Sequence, residues 1–119
     1  MQVEIYNGID AEKPVDIIVV LEEIMERVSF KSLPKYYEKE KSGLKNNTVR
    51  DSFTLYKDEI RLEDKRYSLL RKFEKREIFN LAIEIINVGT EGKESFIRQI
   101  TDVTEYNGLF IITWKHQED

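Results

Sequence analysis

The chain has 119 residues, of which 40% are hydrophobic and 35% are charged, and it contains no cysteine and a single histidine. A chain of this length predicts one domain, residues 1–119. The lack of cysteine excludes disulfides, thiolate metal sites and a cysteine nucleophile, and one histidine excludes a His/Cys zinc cluster. There is no apolar run long enough for a membrane span, and the N-terminus is acidic where a signal peptide is basic. We therefore expect a cytoplasmic protein with no metal, no cofactor and no membrane contact.

The net charge of −4 is unevenly distributed along the chain. Residues 1–30 carry seven acidic and two basic side chains, whereas residues 31–50 carry six basic and two acidic ones. An acidic protein with one basic stretch is a poor match for non-specific binding to a duplex backbone, which requires a broadly basic face. A local anion-recognising patch within residues 31–50 remains open, and so does a solvated lysine-rich helix.

The N-terminal half predicts strands and helices in alternation. QVEIY followed by Asn7-Gly8 indicates a short strand and a turn. Residues 14–28 follow helical spacing, although the β-branched run from Val15 to Leu21 would also suit a buried strand. A short strand over 27–32 leads into a helix that begins at Pro34, with Ser32 as its cap, and ends at Gly43.

The C-terminal half predicts a β-sheet preceded by one more helix. Residues 44–53 are polar and extended, and 64–75 form a charged helix. Alternating strands are expected over 77–88, 95–104 and 109–115, joined by turns at 89–94 and 106–108. The chain therefore predicts an α+β fold, a small β-barrel with flanking helices.

The segment from Gly43 to Asp51 (GLKNNTVRD) is the most unusual part of the sequence. In an extended strand Asn46, Thr48 and Arg50 point to one face, and Lys45 follows a glycine that permits a positive φ. Two cations, a hydroxyl and two amides suit an anion or the edge of a nucleobase. A hairpin edge with solvated charges would explain the same residues.

The spacing Gly-x-Lys-x-x-Thr-x-Arg at Gly43, Lys45, Thr48 and Arg50 resembles the signature Gly-x-Lys-x-x-(Glu/Thr)-x-Arg of the ASCH family, whose fold is a PUA-like β-barrel. In that family a strand leads into a helix that ends at the motif glycine, and SFKSL followed by PKYYEKEKSG has the same order. SFIRQITDVTEY and GLFIITWK are similar to the family's closing strands. The resemblance covers about residues 27–115, leaves 1–26 as an N-terminal extension, and extends to small phage-encoded proteins.

The resemblance implies binding of RNA, a nucleotide or a modified nucleoside in a small cleft beside the motif. One branch of the family hydrolyses N4-acetylcytidine, so an amidohydrolase is the alternative. By that resemblance Lys45 would activate or orient the reacting groups, Thr48 would be the nucleophile and Arg50 would line the cleft. A threonine hydroxyl needs an adjacent base. The branch's glutamate lies in a helical insertion that this chain lacks, so Glu84 is the substitute, with Glu105 as a second choice.

Four further aromatic or imidazole side chains have a structural or a functional interpretation. Of the neighbouring pair Tyr36 and Tyr37, one is expected to pack in the core and the other could stack on a base. We place Tyr37 in the ligand site with Gly43, Asn46 and the motif cations. Trp114 is expected in the core, and His116 in an inert tail.

A third functional hypothesis is a non-catalytic phage or mobile-element protein that inhibits or adapts a host protein, using its acidic ends as a mimic of nucleic-acid charge.

Overall fold

The computed structural model describes residues 25–118 of the chain. Within that range an α+β fold is built from five strands, three α-helices and one 3₁₀ turn. The strands are β1 (Glu26–Ser32), β2 (Asn47–Asp51), β3 (Leu81–Asn87), β4 (Ser95–Tyr106) and β5 (Leu109–Trp114). The helices are α1 (Pro34–Ser42), α2 (Ser52–Leu62) and α3 (Arg66–Glu74), and the 3₁₀ turn is Val88–Thr90.

The strands form one mixed sheet in the order β1-β3-β4-β5-β2, in which only the β1–β3 pair is parallel. Strand β4 is long and joins the two halves: its first part pairs with β3 and its second part with β5. The register shifts between Ile100 and Asp102, and such a bulge bends a strand and increases its twist. The sheet therefore curls into a half-barrel whose two edge strands are β1 and β2.

The core lies on the concave face of this sheet. Side chains that alternate inward from the strands meet inward residues of the three helices, among them Tyr37 from α1, Leu55 from α2 and Leu70 from α3. Aromatic rings connect the layers, since Tyr67 lies 5.8 Å from Phe110 between ring centroids. The strand residues of the core are Val28, Phe30, Leu81, Ile83, Ile85, Phe96, Ile100, Val103, Phe110, Ile112 and Trp114.

Several predictions from the sequence are confirmed. The α+β class and the curled sheet are observed, helix α1 begins at Pro34, and Gly43 ends it in the left-handed region at φ 93°. The two-residue turn at Asn107-Gly108 joins β4 to β5, with positive φ at both residues as this type of hairpin requires.

No helix within residues 25–118 is long and apolar enough to cross a membrane.

Other predictions are wrong in informative ways. Residues 26–28 are strand, so the predicted helix over 14–28 does not extend that far; its remainder, and the strand and turn predicted at 2–8, lie outside the described residues. Residues 77–80 precede β3 without joining it. Ser32 does not cap α1, because the N-cap position is Leu33 and the Ser32 hydroxyl bonds Glu40 instead.

Helix α2 is the largest difference from the sequence-based expectation, because the sequence predicts an extended segment up to Phe53 and no element directly after it. In the structure β2 passes into α2 without a loop. Asp51 ends the strand and caps the helix, since its carboxylate accepts hydrogen bonds from the backbone N–H groups of Phe53 and Thr54 at 2.9 and 3.0 Å. One residue thus serves as both the strand end and the helix cap.

Candidate functional site

The motif lies at the open side of the half-barrel, where α1 delivers the chain to edge strand β2. Gly43 reverses the chain after α1, and Asn46 fixes this turn because its side-chain N–H donates to the Gly43 carbonyl at 3.1 Å. Thr48 and Arg50 then point to the concave face, since they pair with the buried residues Ile112 and Phe110 of β5. The alternation expected from the sequence is therefore present.

Lys45 is fixed by a buried carboxylate that comes from the preceding helix. Its ammonium group lies 2.9 Å from Glu40 Oε2 and also donates to the backbone carbonyl of Asn47. The other oxygen of Glu40 accepts a hydrogen bond from the Ser32 hydroxyl at 2.9 Å. Glu40 is 2% exposed, so both of its oxygens depend on these two partners for solvation.

Arg50 connects the two edge strands of the half-barrel. Its Nε donates to Thr48 Oγ1 at 3.1 Å, and its Nη2 donates to the backbone carbonyl of Lys31 in β1 at 3.1 Å. The guanidinium also lies on the ring of Phe30, with 4.7 Å between Cζ and the ring centroid. A hydrogen-bonded and stacked guanidinium is held in one orientation, which suits it for planar recognition of an anion or a base edge.

The charge around Arg50 is only partly compensated. Burial lowers the pKa of Arg50 from its ordinary value; the Glu40 carboxylate opposes that shift, and the nearby cation Arg66 reinforces it. Arg66 stacks on the same Phe30 ring at 4.9 Å. Because arginine stays cationic at physiological pH, an anion bound beside Arg50 would relieve both its desolvation and its repulsion from Arg66.

Arg66 itself has carboxylate partners. It pairs with Asp64 at 2.7 Å and with Asp58 at 3.5 Å. Burial raises the pKa of Asp64, but the hydrogen bonds and charge of Arg66 outweigh this and hold that pKa below its ordinary value. Arg66 is therefore part of a structural ion network, whereas Arg50 is the arginine of the motif and bonds Thr48 within it.

The predicted site residues fall into two groups in the structure. Gly43, Lys45, Asn46, Thr48 and Arg50 are brought together, as described above. Tyr37 is fully buried in the core, with its ring centroid 5.3 Å from that of Phe96, and the neighbouring Tyr36 is the exposed tyrosine of the pair.

Glu84 is on the other face of the sheet from Thr48. It lies between Ile83 and Ile85, both fully buried on the concave face, so its own side chain points outward. There it accepts hydrogen bonds from the hydroxyls of Ser29 and Ser95, each at 2.9 Å. Glu105, the second choice, forms an ion pair with Arg71 of α3. Neither carboxylate contacts Lys45, and their assignment rests on the resemblance alone.

Sequence reasoning missed Glu40, Ser32 and His116 as neighbours of the motif. The signal for Glu40 is its spacing: it lies three residues after Tyr37, so the two share the buried face of α1. His116 belongs to the chain after β5, and its ring packs on Gly43, 3.0 Å from where a Cβ on that glycine would lie. Nothing in the sequence indicates that contact, because it depends on the position at which β5 ends.

Replacing Gly43 by alanine is expected to lower the free energy of unfolding by about 1–2 kcal/mol, because the position has positive φ and the new Cβ would meet the His116 ring. Gly108→Ala is the matched control: φ is 78°, but no atom lies within 4 Å of its added Cβ. Urea denaturation measures the stability lost to backbone strain and the His116 contact together in Gly43→Ala, and the stability lost to backbone strain alone in Gly108→Ala. Equal losses of stability would show that the His116 contact costs nothing.

A separate cavity of about 320 Å³ lies between the end of α3 and the bulged part of β4, with Phe73, Phe79 and Asp102 in its walls. None of the motif residues lines it. Among residues 25–118 no group of three His, Asp or Glu side chains is placed to hold a metal ion. The candidate site consists of Lys45, Thr48 and Arg50 of the motif together with the buried Glu40.

Comparison with protein-family models, with curated proteins and with solved structures returns no match for this chain.

Proposed function

We propose that this protein is a PUA-like domain of the ASCH type that binds RNA, a nucleotide or a modified nucleoside through Lys45, Thr48 and Arg50. The observation that carries the proposal is the convergence of these three side chains, with the buried Glu40, in the gap between edge strands β1 and β2. The resemblance of the motif to the ASCH signature supplies the ligand class.

The geometry favours one small, specific ligand over electrostatic binding of a nucleic-acid backbone. Lys45 and Arg50 are each fixed by hydrogen bonds to neighbouring groups, so little side-chain entropy is lost when a ligand binds. Glu40 neutralises Lys45, which leaves Arg50 as the main attraction for an anion. With a net charge of −4, the chain as a whole adds no general attraction for phosphates.

Isothermal titration calorimetry with nucleosides, nucleotides and short single-stranded RNAs tests the proposal. We expect one ligand class to bind with 1:1 stoichiometry, and we expect its affinity to change less with salt than the steep dependence of backbone binding. Failure of every member of the panel to bind at millimolar concentration would overturn the proposal.

The alternative, an amidohydrolase acting on N4-acetylcytidine, is favoured by one specific observation. Glu40 supplies a carboxylate beside the motif lysine. From the sequence, Glu84 or Glu105 was expected in that role. The Thr48 hydroxyl would attack the acetyl carbon, the amide C–N bond would break as the hydroxyl proton passes to the amine of the leaving cytidine, and water would then hydrolyse the acetyl ester on Thr48 to acetate and the free hydroxyl. Mass spectrometry should detect cytidine release by the wild type and by Thr48→Ser, but not by Thr48→Ala. Equal release by Thr48→Ala would exclude this reaction.

A further inference from the structure

The cavity beside the bulge of β4 is separate from the motif and shares no residue with it. Its volume of about 320 Å³ is at the lower end of the range for pockets that hold small organic ligands, about 300–1,000 Å³. Its walls come from the end of α3, from the segment that precedes β3 and from residues 99–103 of β4. The cavity therefore has room for one small organic molecule.

One part of the cavity wall is apolar. Phe73, Ile78 and Phe79 form it together with Ile100 and Val103, which belong to the hydrophobic core. Phe79 is 69% exposed, so most of its ring is in contact with solvent. A ligand with an apolar body would remove this surface from water, which is favourable.

Two opposite charges line the same cavity without neutralising each other. In the part of the chain that the structure describes, the guanidinium of Arg76 has no hydrogen bond or ion pair, and the Asp102 carboxylate has only the Thr104 hydroxyl as a partner, at 3.0 Å. Glu74, the third charged residue of the wall, pairs with Arg71 at 3.8 Å. A ligand that neutralises both Arg76 and Asp102 must carry an anionic group and a cationic group.

Strand β4 has a free edge where it passes the cavity. Its pairing with β3 ends at Gln99, which faces Ala82, so from Ile100 onward its partner strand among the described residues is β5. Residues 78–80, which precede β3, make no backbone hydrogen bond to any described residue of β4. Backbone groups of β4 that point away from β5 along this stretch therefore lie at the cavity.

Val103 carries such backbone groups. Trp114 donates its backbone N–H to Asn46, on the β2 side of β5. Successive residues of a strand direct their N–H and C=O groups to opposite sides, so Thr113 bonds β4, through its partner Asp102. Val103 follows Asp102 and lines the cavity, so its N–H and C=O point away from β5, to the side on which the cavity lies.

We propose that this cavity binds a free α-amino acid with a large apolar side chain. The ligand's carboxylate bonds Arg76, its ammonium group bonds Asp102, and both also bond the free backbone groups of Val103, while its side chain lies against Phe73 and Phe79. A residue inside a peptide carries neither backbone charge, and neither does a nucleoside. The inference goes beyond the proposed function, because the two sites have no residue in common.

Chemical-shift titration of the ¹⁵N-labelled protein tests the proposal with L-phenylalanine and three analogues, each of which lacks one recognised group. N-acetyl-L-phenylalanine lacks the ammonium group, L-phenylalaninamide lacks the carboxylate, and L-alanine lacks the large side chain. We expect L-phenylalanine to cause saturable shifts at residues 73–79 and 99–103. Each analogue should bind about tenfold more weakly or worse.

Two variants assign the two charges. Arg76→Gln should bind L-phenylalanine about tenfold more weakly, but L-phenylalaninamide with unchanged affinity, because that analogue has no carboxylate to pair with Arg76. Asp102→Asn should show the same difference between L-phenylalanine and N-acetyl-L-phenylalanine. Both side chains are exposed, so both variants are expected to fold, and their ¹H–¹⁵N spectra check this. The matched control is Lys75→Gln, an exposed neighbour outside the cavity wall, which should bind L-phenylalanine as the wild type does.

Three results would overturn the proposal. The first is the absence of saturable shifts with L-phenylalanine at millimolar concentration. The second is an analogue that binds as tightly as L-phenylalanine, because the missing group would then not be recognised. The third is unchanged affinity for L-phenylalanine in both Arg76→Gln and Asp102→Asn. The proposed function is tested separately, by the response of residues 43–50 to nucleosides and nucleotides.

Discussion

Replacing Lys45 by methionine is expected to lower the free energy of unfolding by about 3 kcal/mol. The substitution leaves the carboxylate of Glu40, which is 2% exposed, with the Ser32 hydroxyl as its remaining side-chain partner. A buried charge without its counter-ion is among the most destabilising features that a single substitution can create. Urea or thermal denaturation of the variant measures the loss.

Replacing Glu40, the other member of the ion pair, should lower the free energy of unfolding by less, and this asymmetry makes the prediction specific. In Glu40→Gln the amide can still bond Ser32, and Lys45, whose side chain is about one-third exposed, can turn towards water, so we expect a loss of about 1 kcal/mol. Lys39→Met, an exposed change on the same helix, should be nearly neutral. If Lys45→Met and Lys39→Met lose the same stability, Glu40 does not depend on Lys45.

Replacing Arg50 by lysine is expected to weaken ligand binding at least tenfold while keeping the charge. Lysine lacks the fork that bonds Thr48 and Lys31 together, and it lacks the flat surface that stacks on Phe30. A lost charged hydrogen bond of about 1.5–3 kcal/mol corresponds to a factor of about 10–150 in affinity. Calorimetric titration with the tightest ligand of the nucleotide panel gives the ratio.

The matched control for Arg50→Lys is Arg61→Lys. Arg61 pairs with Asp58 on the exposed face of α2 and contacts none of the motif residues. The Arg61→Lys variant should bind the ligand with the same affinity as the wild type. A tenfold loss in both variants would indicate a general effect of replacing arginine by lysine rather than a specific role of Arg50, and unchanged affinity in Arg50→Lys would remove Arg50 from the binding site.

The fold was predictable where a local signal determines the local structure. Gly43 has a positive φ, which few other residues tolerate, and Pro34 can begin a helix but not continue one. The sequence therefore predicts both ends of α1. The Asn107-Gly108 turn likewise determines the β4–β5 register. Helix α2 was missed because Asp51 joins a strand directly to a helix, with no glycine or proline between them to mark the change.

The candidate site was predictable in part. The alternation of Thr48 and Arg50 follows from strand geometry, so the sequence places them on one face. Glu40 lies in a run of charged helix residues (EKEKS), where a carboxylate is normally solvated. Its burial depends on Ser32 and Lys45 arriving from two other elements. From the sequence, the double variant Lys45→Ala with Arg50→Ala would be expected to keep a nearly unchanged melting temperature, whereas the contact between Lys45 and Glu40 predicts that this temperature falls.

Chemical-shift mapping of the ¹⁵N-labelled protein with the nucleoside and nucleotide panel tests the central claim most directly. If the gap between β1 and β2 is the binding site, the saturable shifts will cluster at residues 43–50 and include the Nε–H of Arg50, whose partners are Thr48 and Lys31. Saturable shifts confined to another surface, such as the cavity beside the bulge of β4, would contradict the claim. Absence of any saturable shift across the whole panel would contradict it as well.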